Sequence, residues 1–245
     1  MIFSPHPMLH PIFEVLGYTL GYALYRRTRS RAGAIIEDDQ QWLILAAAAI
    51  GALLGSRILA LLEQAPRLHL TWRSLLLPGG KTIVGGLLGG WIGVGLIKRF
   101  RAIHSPTGDL FAVPLCLGIA IGRIGCFLTG LADGTYGIPT VRPWGVNFGD
   151  GVARHPTQLY EILFLIALAV ILQRYNQRLH PEGATFHLFL VAYLSWRLLI
   201  DFIKPEPLIY GLNLIQWACV AGLLALLPDL MRLCCIHPSA IRSTE

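Results

Sequence analysis

Seven apolar runs punctuate this chain, at about residues 9–25, 42–62, 82–97, 109–128, 157–173, 185–203 and 208–228. About 20 mostly apolar residues cross a bilayer as a helix, and fewer suffice where neighbours or local thinning help. Within lipid, a helix satisfies its backbone hydrogen bonds internally, so such runs have little choice of structure. The predicted fold class is all-α: a polytopic membrane protein with about seven transmembrane helices and a small extracytoplasmic loop domain. Residues 1–245 are read as a single integral membrane domain, whose longest loop covers about 129–156. Composition agrees, with 54% hydrophobic and 14% charged residues, against about 25% charged in soluble domains. The N-terminus lacks a basic region and a small-residue cleavage site, so the first span is expected to be retained.

Loop charges set the orientation. With the N-terminus outside, the inner segments hold Arg26, Arg27, Arg29, Arg31, Lys98, Arg99, Arg101, Arg174, Arg178, Arg232 and Arg242. The outer loops hold only Arg67, Arg73, Lys81, Arg142, Arg154 and Lys204. The C-terminus is then cytoplasmic, and the net charge of +6 suits anionic headgroups of membrane lipid. No basic-aromatic motif points to nucleic acid, and no nucleic acid partner is expected. Cys116, Cys126 and Cys219 read as packed thiols within spans, and Cys234-Cys235 as unpaired thiols near the inner end of the last. No cysteine or histidine spacing suggests a metal, so neither metal nor cofactor is expected.

The polar residues inside this apolar frame are few and concentrated. Arg154-His155-Pro156-Thr157-Gln158-Leu159-Tyr160-Glu161 places a cation, an imidazole, an amide, a phenol and a carboxylate at the mouth of the fifth span. Arg57, Arg123 and Arg197 fall inside spans, each toward the outer side. Arg197 and Asp201 are four apart, share a helix face and are suited to pair, and Lys204 follows one turn on. A purely structural reading makes these salt bridges, with Arg57–Glu161 and Arg197–Asp201 as candidate pairs. Intramembrane charges more often mark ligand paths, and guanidinium forks match phosphate oxygens in pairs. The residues alone therefore describe an anionic phospholipid headgroup site opening from the outer leaflet. Glycines at 85, 86, 89, 90, 93, 95, 118, 122 and 125 allow close helix approach, and Val141 to Phe148 alternates as a hairpin strand would.

Gly122-Arg123-Ile124-Gly125-x-Phe127, the Arg154 to Glu161 motif and Arg197-x-x-x-Asp201-Phe202-x-Lys204 occur in that order. Together they resemble the prolipoprotein diacylglyceryl transferase family, with Gly55-Ser56-Arg57, Gly85 to Gly89, Asp109 and Gln216-Trp217 in support. The resemblance covers nearly the whole chain. It implies an enzyme of the bacterial inner membrane, multi-pass with its N-terminus extracytoplasmic. Such an enzyme moves a diacylglyceryl group from phosphatidylglycerol to the lipobox cysteine thiol of a prolipoprotein signal peptide. A thioether forms and glycerol 1-phosphate leaves.

The resemblance makes Arg123, Arg197, Glu161 and Lys81 the candidate catalytic residues. Arg57, Arg154, His155, Gln158, Tyr160, Asp201 and Lys204 are the candidate substrate-binding residues. The chain also departs from the family pattern. Val84 stands where the family usually has a histidine before Gly85-Gly86. Cys126, Thr129 and Leu131 replace the two amides and the carboxylate that usually follow the Gly-Arg-Ile-Gly motif. Lys81, His155 and Glu161 are the substitute bases. Two alternatives stay open: the same donor with another acceptor, or a non-catalytic phospholipid-binding protein.

Overall fold

The computed structural model describes residues 8–32, 38–64, 80–105, 107–176 and 183–236. Seven long helices dominate it: α1 (Leu9–Ala32), α2 (Asp38–Gln64), α3 (Ile83–Phe100), α4 (Asp109–Thr129), α5 (Thr157–Tyr175), α6 (Ala184–Ile200) and α7 (Leu214–Ile236). Six of them, α2 to α7, are long and apolar enough to cross a membrane. The expected first span is the exception. It is a helix, but it continues to Ala32 through the arginines expected in a loop, and it carries Glu14 among its apolar residues. The protein is thus an all-α polytopic membrane protein with one helix more polar than expected. Arg67, Arg73, Arg178 and Arg242, used above for orientation, lie outside the described residues.

Glycines decide which helices touch. A Cβ on Gly89 would lie 2.2 Å from the Gly51 carbonyl oxygen, and one on Gly55 2.3 Å from that of Gly85. The α2 and α3 backbones are therefore in direct contact, as small residues permit in lipid. A Cβ on Gly17 would come within 2.6 Å of the Gly118 oxygen, which holds α1 against α4 in the same way. The apolar core lies among α4, α5, α6 and α7 and takes in Val84 and Leu87 of α3.

Polar caps then fix the helix ends. Ser56 Oγ accepts from Thr82 N at 3.0 Å, and Thr82 Oγ1 accepts from Gly85 N at 3.2 Å, so the Gly55-Ser56-Arg57 turn seats the start of α3. Asp109 at the start of α4 accepts from Gly183 N (2.7 Å) and Phe186 N (2.8 Å), tying that end to the start of α6.

The last helix begins six residues later than the hydropathy run suggested, at Leu214 rather than 208. Asn213 and Gln216 form a reciprocal capping box: Gln216 N donates to Asn213 Oδ1 at 2.7 Å, and Asn213 N to Gln216 Oε1 at 2.8 Å. The apolar residues before it form a tight turn, with Tyr210 and Gly211 at positive φ and Trp217 Nε1 donating to Ile209 O.

The loop between α4 and α5 is ordered. Gly130 ends α4 at φ 68°, a backbone state that glycine tolerates. A short 3₁₀ turn follows (Gly130–Asp133), and β1 (Val146–Asn147) pairs antiparallel with β2 (Ala153–Arg154). The hairpin thus uses only the end of the expected Val141–Phe148 piece. Phe148 is buried against Phe127, which fastens the loop onto α4.

Gly89→Val is expected to separate α2 from α3, because the branched side chain meets backbone rather than a movable side chain. A loss of about 1–3 kcal/mol, read as a lower thermal midpoint in detergent, is the expected outcome. Gly95→Ala, with open space around it, should leave the midpoint unchanged or slightly raised, because alanine loses less backbone freedom on folding than glycine.

Candidate active site

Chain direction alternates from helix to helix, so one end of the bundle collects the start of α1, the end of α2, the start of α3, the end of α4, the start of α5 and the end of α6. The polar residues singled out above gather there. At its centre is Glu161, in the second turn of α5 and only 2% exposed. Its Oε2 lies 2.9 Å from Arg123 Nε of α4 and 3.4 Å from Arg197 Nη1 of α6. Its Oε1 accepts from the Tyr193 hydroxyl at 2.7 Å. One carboxylate thus joins three helices through two guanidiniums and a phenol.

Arg197 extends the network outward. Its Nη2 lies 2.9 Å from Asp201 Oδ1, so the expected i, i+4 pair forms, and Lys204 Nζ stands 3.5 Å from the same oxygen. Arg123, Arg197, Glu161 and Asp201 are all buried. The ion-paired set holds three cations and two carboxylates, an excess of one positive charge. Lys204 follows the end of the sixth span; burial and then the Arg197 charge push its ammonium down to about 8.

Two features leave polar capacity unused. Gln158, one turn before Glu161 on the same face, is 1% exposed, yet neither atom of its amide has a hydrogen-bond partner among the described residues. Arg197 Nε is likewise buried and unpartnered. A buried, unsatisfied donor costs about 1–3 kcal/mol, so such groups at a charged cluster commonly serve a ligand or water.

The remaining candidates sit apart from this network. Arg154 binds Asp150 (Nη2–Oδ2, 2.7 Å) and lies over the Tyr136 ring at 5.1 Å. The Asp150 carboxyl is held below its ordinary value mainly by that hydrogen bond. His155 Nδ1 and Trp144 Nε1 both meet the Tyr160 hydroxyl, at 3.0 and 2.8 Å. These residues form a polar rim built on the loop and the first turn of α5. Arg57 is half-buried near the end of α2. Lys81 is exposed at the start of α3 and pairs with Glu14 of α1 at 2.7 Å. Val84, by contrast, is 1% exposed inside the apolar core, so no ionisable group occupies its place.

Sequence reasoning missed four contributors. Tyr193 was detectable, since Tyr193, Arg197 and Asp201 recur every fourth residue along one face. His10 and Asp133, far apart in the chain, had no local signal. Cys126, read as packing, lies beside them: His10, Cys126 and Asp133 each bring a donor atom within 4.8 Å of the others. Such a set can in principle ligate a cation, which no sequence spacing suggested. Arg123 Nη1, however, is 3.8 Å from Cys126 Sγ, and its charge opposes a dication there.

A family model described as prolipoprotein diacylglyceryl transferase matches residues 8–231. Among individual relatives, a Geobacter sulfurreducens protein is 33% identical over 218 residues, covering 82% of this chain and 79% of its own. A Bordetella parapertussis protein is 33% identical over 235 residues, covering 87% and 86% respectively. One from Dehalococcoides mccartyi is 33% identical over 205 residues, covering 80% and 76%. Each is named phosphatidylglycerol–prolipoprotein diacylglyceryl transferase.

Glu161→Gln is expected to destabilise the protein by about 3–5 kcal/mol, because it leaves two buried guanidiniums uncompensated. Tyr193→Phe removes one hydrogen bond to a charged group and should cost about 1.5–3 kcal/mol. Thermal midpoints of the two variants, measured side by side in one detergent, should fall in that order.

Proposed function

The chain belongs to the prolipoprotein diacylglyceryl transferase family, and we propose that it carries out that family's transfer. In this reading phosphatidylglycerol is the donor and the lipobox cysteine thiol of a prolipoprotein signal peptide is the acceptor. The reaction takes place at the outer leaflet of the bacterial inner membrane, with the N-terminus extracytoplasmic and the C-terminus cytoplasmic. The observation that carries the proposal is the buried Arg123–Glu161–Arg197 bridge with its excess positive charge.

The chemistry follows from the charges. The acceptor sulfur attacks the glycerol carbon that bears the phosphate ester; the carbon–oxygen bond breaks and glycerol 1-phosphate departs. Negative charge grows on the departing phosphate, and preorganised guanidiniums in a dry site stabilise it most where it grows most. Arg123 and Arg197 take that role. Glu161, with both oxygens engaged, acts as the anion that holds the two forks in register and not as a free base. Gln158 and Arg197 Nε supply the unused hydrogen-bonding groups for the headgroup. Asp201 positions Arg197 and Lys204, and Lys204 adds a third cation. Arg57, Arg154, His155 and Tyr160 line the approach from the loop side, where headgroup and signal peptide meet. Lys81, engaged with Glu14, acts at this rim through its charge.

The test is product formation by purified protein in phosphatidylglycerol liposomes with a lipobox peptide. Mass spectrometry should find a diacylglyceryl increment on the cysteine, together with released glycerol 1-phosphate. Phosphatidylglycerol bound without turnover would overturn the proposal. Arg123→Ala should lower turnover by about 10²–10³-fold.

Lys204 adds a pH signature. Its ammonium carries charge below about 8 and loses it above, so headgroup affinity should begin to fall as pH rises through 8. In Lys204→Gln that step should vanish. Titrating binding of a soluble glycerophosphate analogue from pH 6.5 to 9.5 in both proteins checks this.

A further inference from the structure

With Val84 buried in the apolar core, proton removal from the acceptor thiol must fall to another group. An imidazole is held next to the phosphate-binding arginine. His10 Nδ1, in the first turn of α1, lies 3.1 Å from Asp133 Oδ1, and the Asp133 side chain is 8% exposed. The second oxygen of that carboxylate accepts from the Thr135 hydroxyl, so Asp133 is fixed from both sides. His10 is also fixed in space: a Cβ on Gly125 would come 3.3 Å from its Cα and carbonyl oxygen, which seats the start of α1 on the α4 turn after Arg123. Cys126 lies beside both groups, within 4.8 Å of the His10 and Asp133 donor atoms and 3.8 Å from Arg123 Nη1.

We propose that His10, beside the Asp133 carboxylate, is the general base that deprotonates the acceptor thiol. The inference rests on the transfer reaction proposed above. Asp133 Oδ1 stands 3.1 Å from the buried Nδ1, near enough for its charge to act on the ring, although Nδ1 makes no hydrogen bond among the described residues. The His10 side chain is 37% exposed, so a substrate can reach it. The acceptor S–H proton passes to His10 Nε2, and the thiolate, which is the reactive form, attacks the glycerol carbon. The carbon–sulfur bond forms as the carbon–oxygen bond breaks, and the electron pair leaves on the phosphate oxygen against Arg123 and Arg197. The imidazolium then returns its proton to the departing phosphate or to water.

The groups facing His10 are Asp133 and Cys126, with Arg123 behind the thiol. On its own helix, Glu14 lies one turn on and is held by Lys81 of α3.

The experiment uses the full chain in phosphatidylglycerol liposomes with two lipobox peptides, one ending in cysteine and one in selenocysteine, whose selenol ionises without help. His10→Gln should lower kcat/KM for the cysteine peptide by about 10²-fold or more and Asp133→Asn by a smaller factor. Phosphatidylglycerol affinity should stay unchanged in both. The selenocysteine peptide, or imidazole added to the buffer, should recover much of the His10→Gln loss. Its rate on cysteine should also climb with pH as the peptide thiol ionises.

Equal losses on both peptides, or full activity of His10→Gln, would overturn the inference while leaving the transfer reaction intact. Loss of wild-type activity to a chelator would assign the His10–Cys126–Asp133 cluster to a metal and overturn it too. A wild-type protein that modifies neither peptide would remove the transfer reaction, and this inference with it.

Discussion

Two guanidiniums from different helices converge on one carboxylate, and much of the architecture depends on that meeting. An isolated charge in a low-dielectric interior is very costly, and losing one partner of a buried pair costs about 3–5 kcal/mol. Arg123, Glu161 and Arg197 therefore hold α4, α5 and α6 at one depth and in one rotation. Van der Waals contact alone would do this poorly, because lipid tails are as apolar as the helix faces. Tyr193 completes the carboxylate's coordination from inside the bundle. The site and the fold at this end are the same set of contacts, so the polar groups are preorganised without help from mobile segments.

The glycine contacts play a complementary part. They bring α2 against α3 and α1 against α4 at backbone distance, where larger residues would impose a gap. Close seating of α1 puts its polar start, with His10, against the turn that carries Arg123 and Cys126. The same helix brings Glu14 to Lys81. The polarity of α1, which separates it from the six more apolar helices, thus serves the charged end of the bundle. At the opposite flank Val84 has joined the core.

Particular residues show how far sequence reading reached. The Arg197–Asp201 pair followed from spacing, because residues four apart on a helix are neighbours wherever the helix sits. Tyr193 obeyed the same rule and was overlooked among apolar neighbours. The start of α7 was misplaced because an apolar turn and an apolar helix have the same hydropathy. The capping residues Asn213 and Gln216 carried the boundary. In the loop, alternation marked one strand, but the partner at Ala153–Arg154 depended on the turns between. Arg154 and Glu161 share one sequence motif. A strand end and a helix turn carry them to different ion-pair networks.

What the sequence by itself determined is whatever rests on local composition and short-range periodicity: the membrane class, the helical fold, the motifs and the excess of positive charge near one end. Those properties depend on the solvent around a segment and on spacing along it, and both can be read in one dimension. Tertiary structure alone decided which charges meet across helices. His10 and Asp133 are more than a hundred residues apart in the chain, and the close α1–α4 contacts at Gly17–Gly118 and Gly125–His10, with the ordered loop after α4, bring them to 3.1 Å. Glu161 likewise chose its partners by helix rotation, which packing and the cost of burying a lone charge set together. Neither leaves a trace in the order of residues.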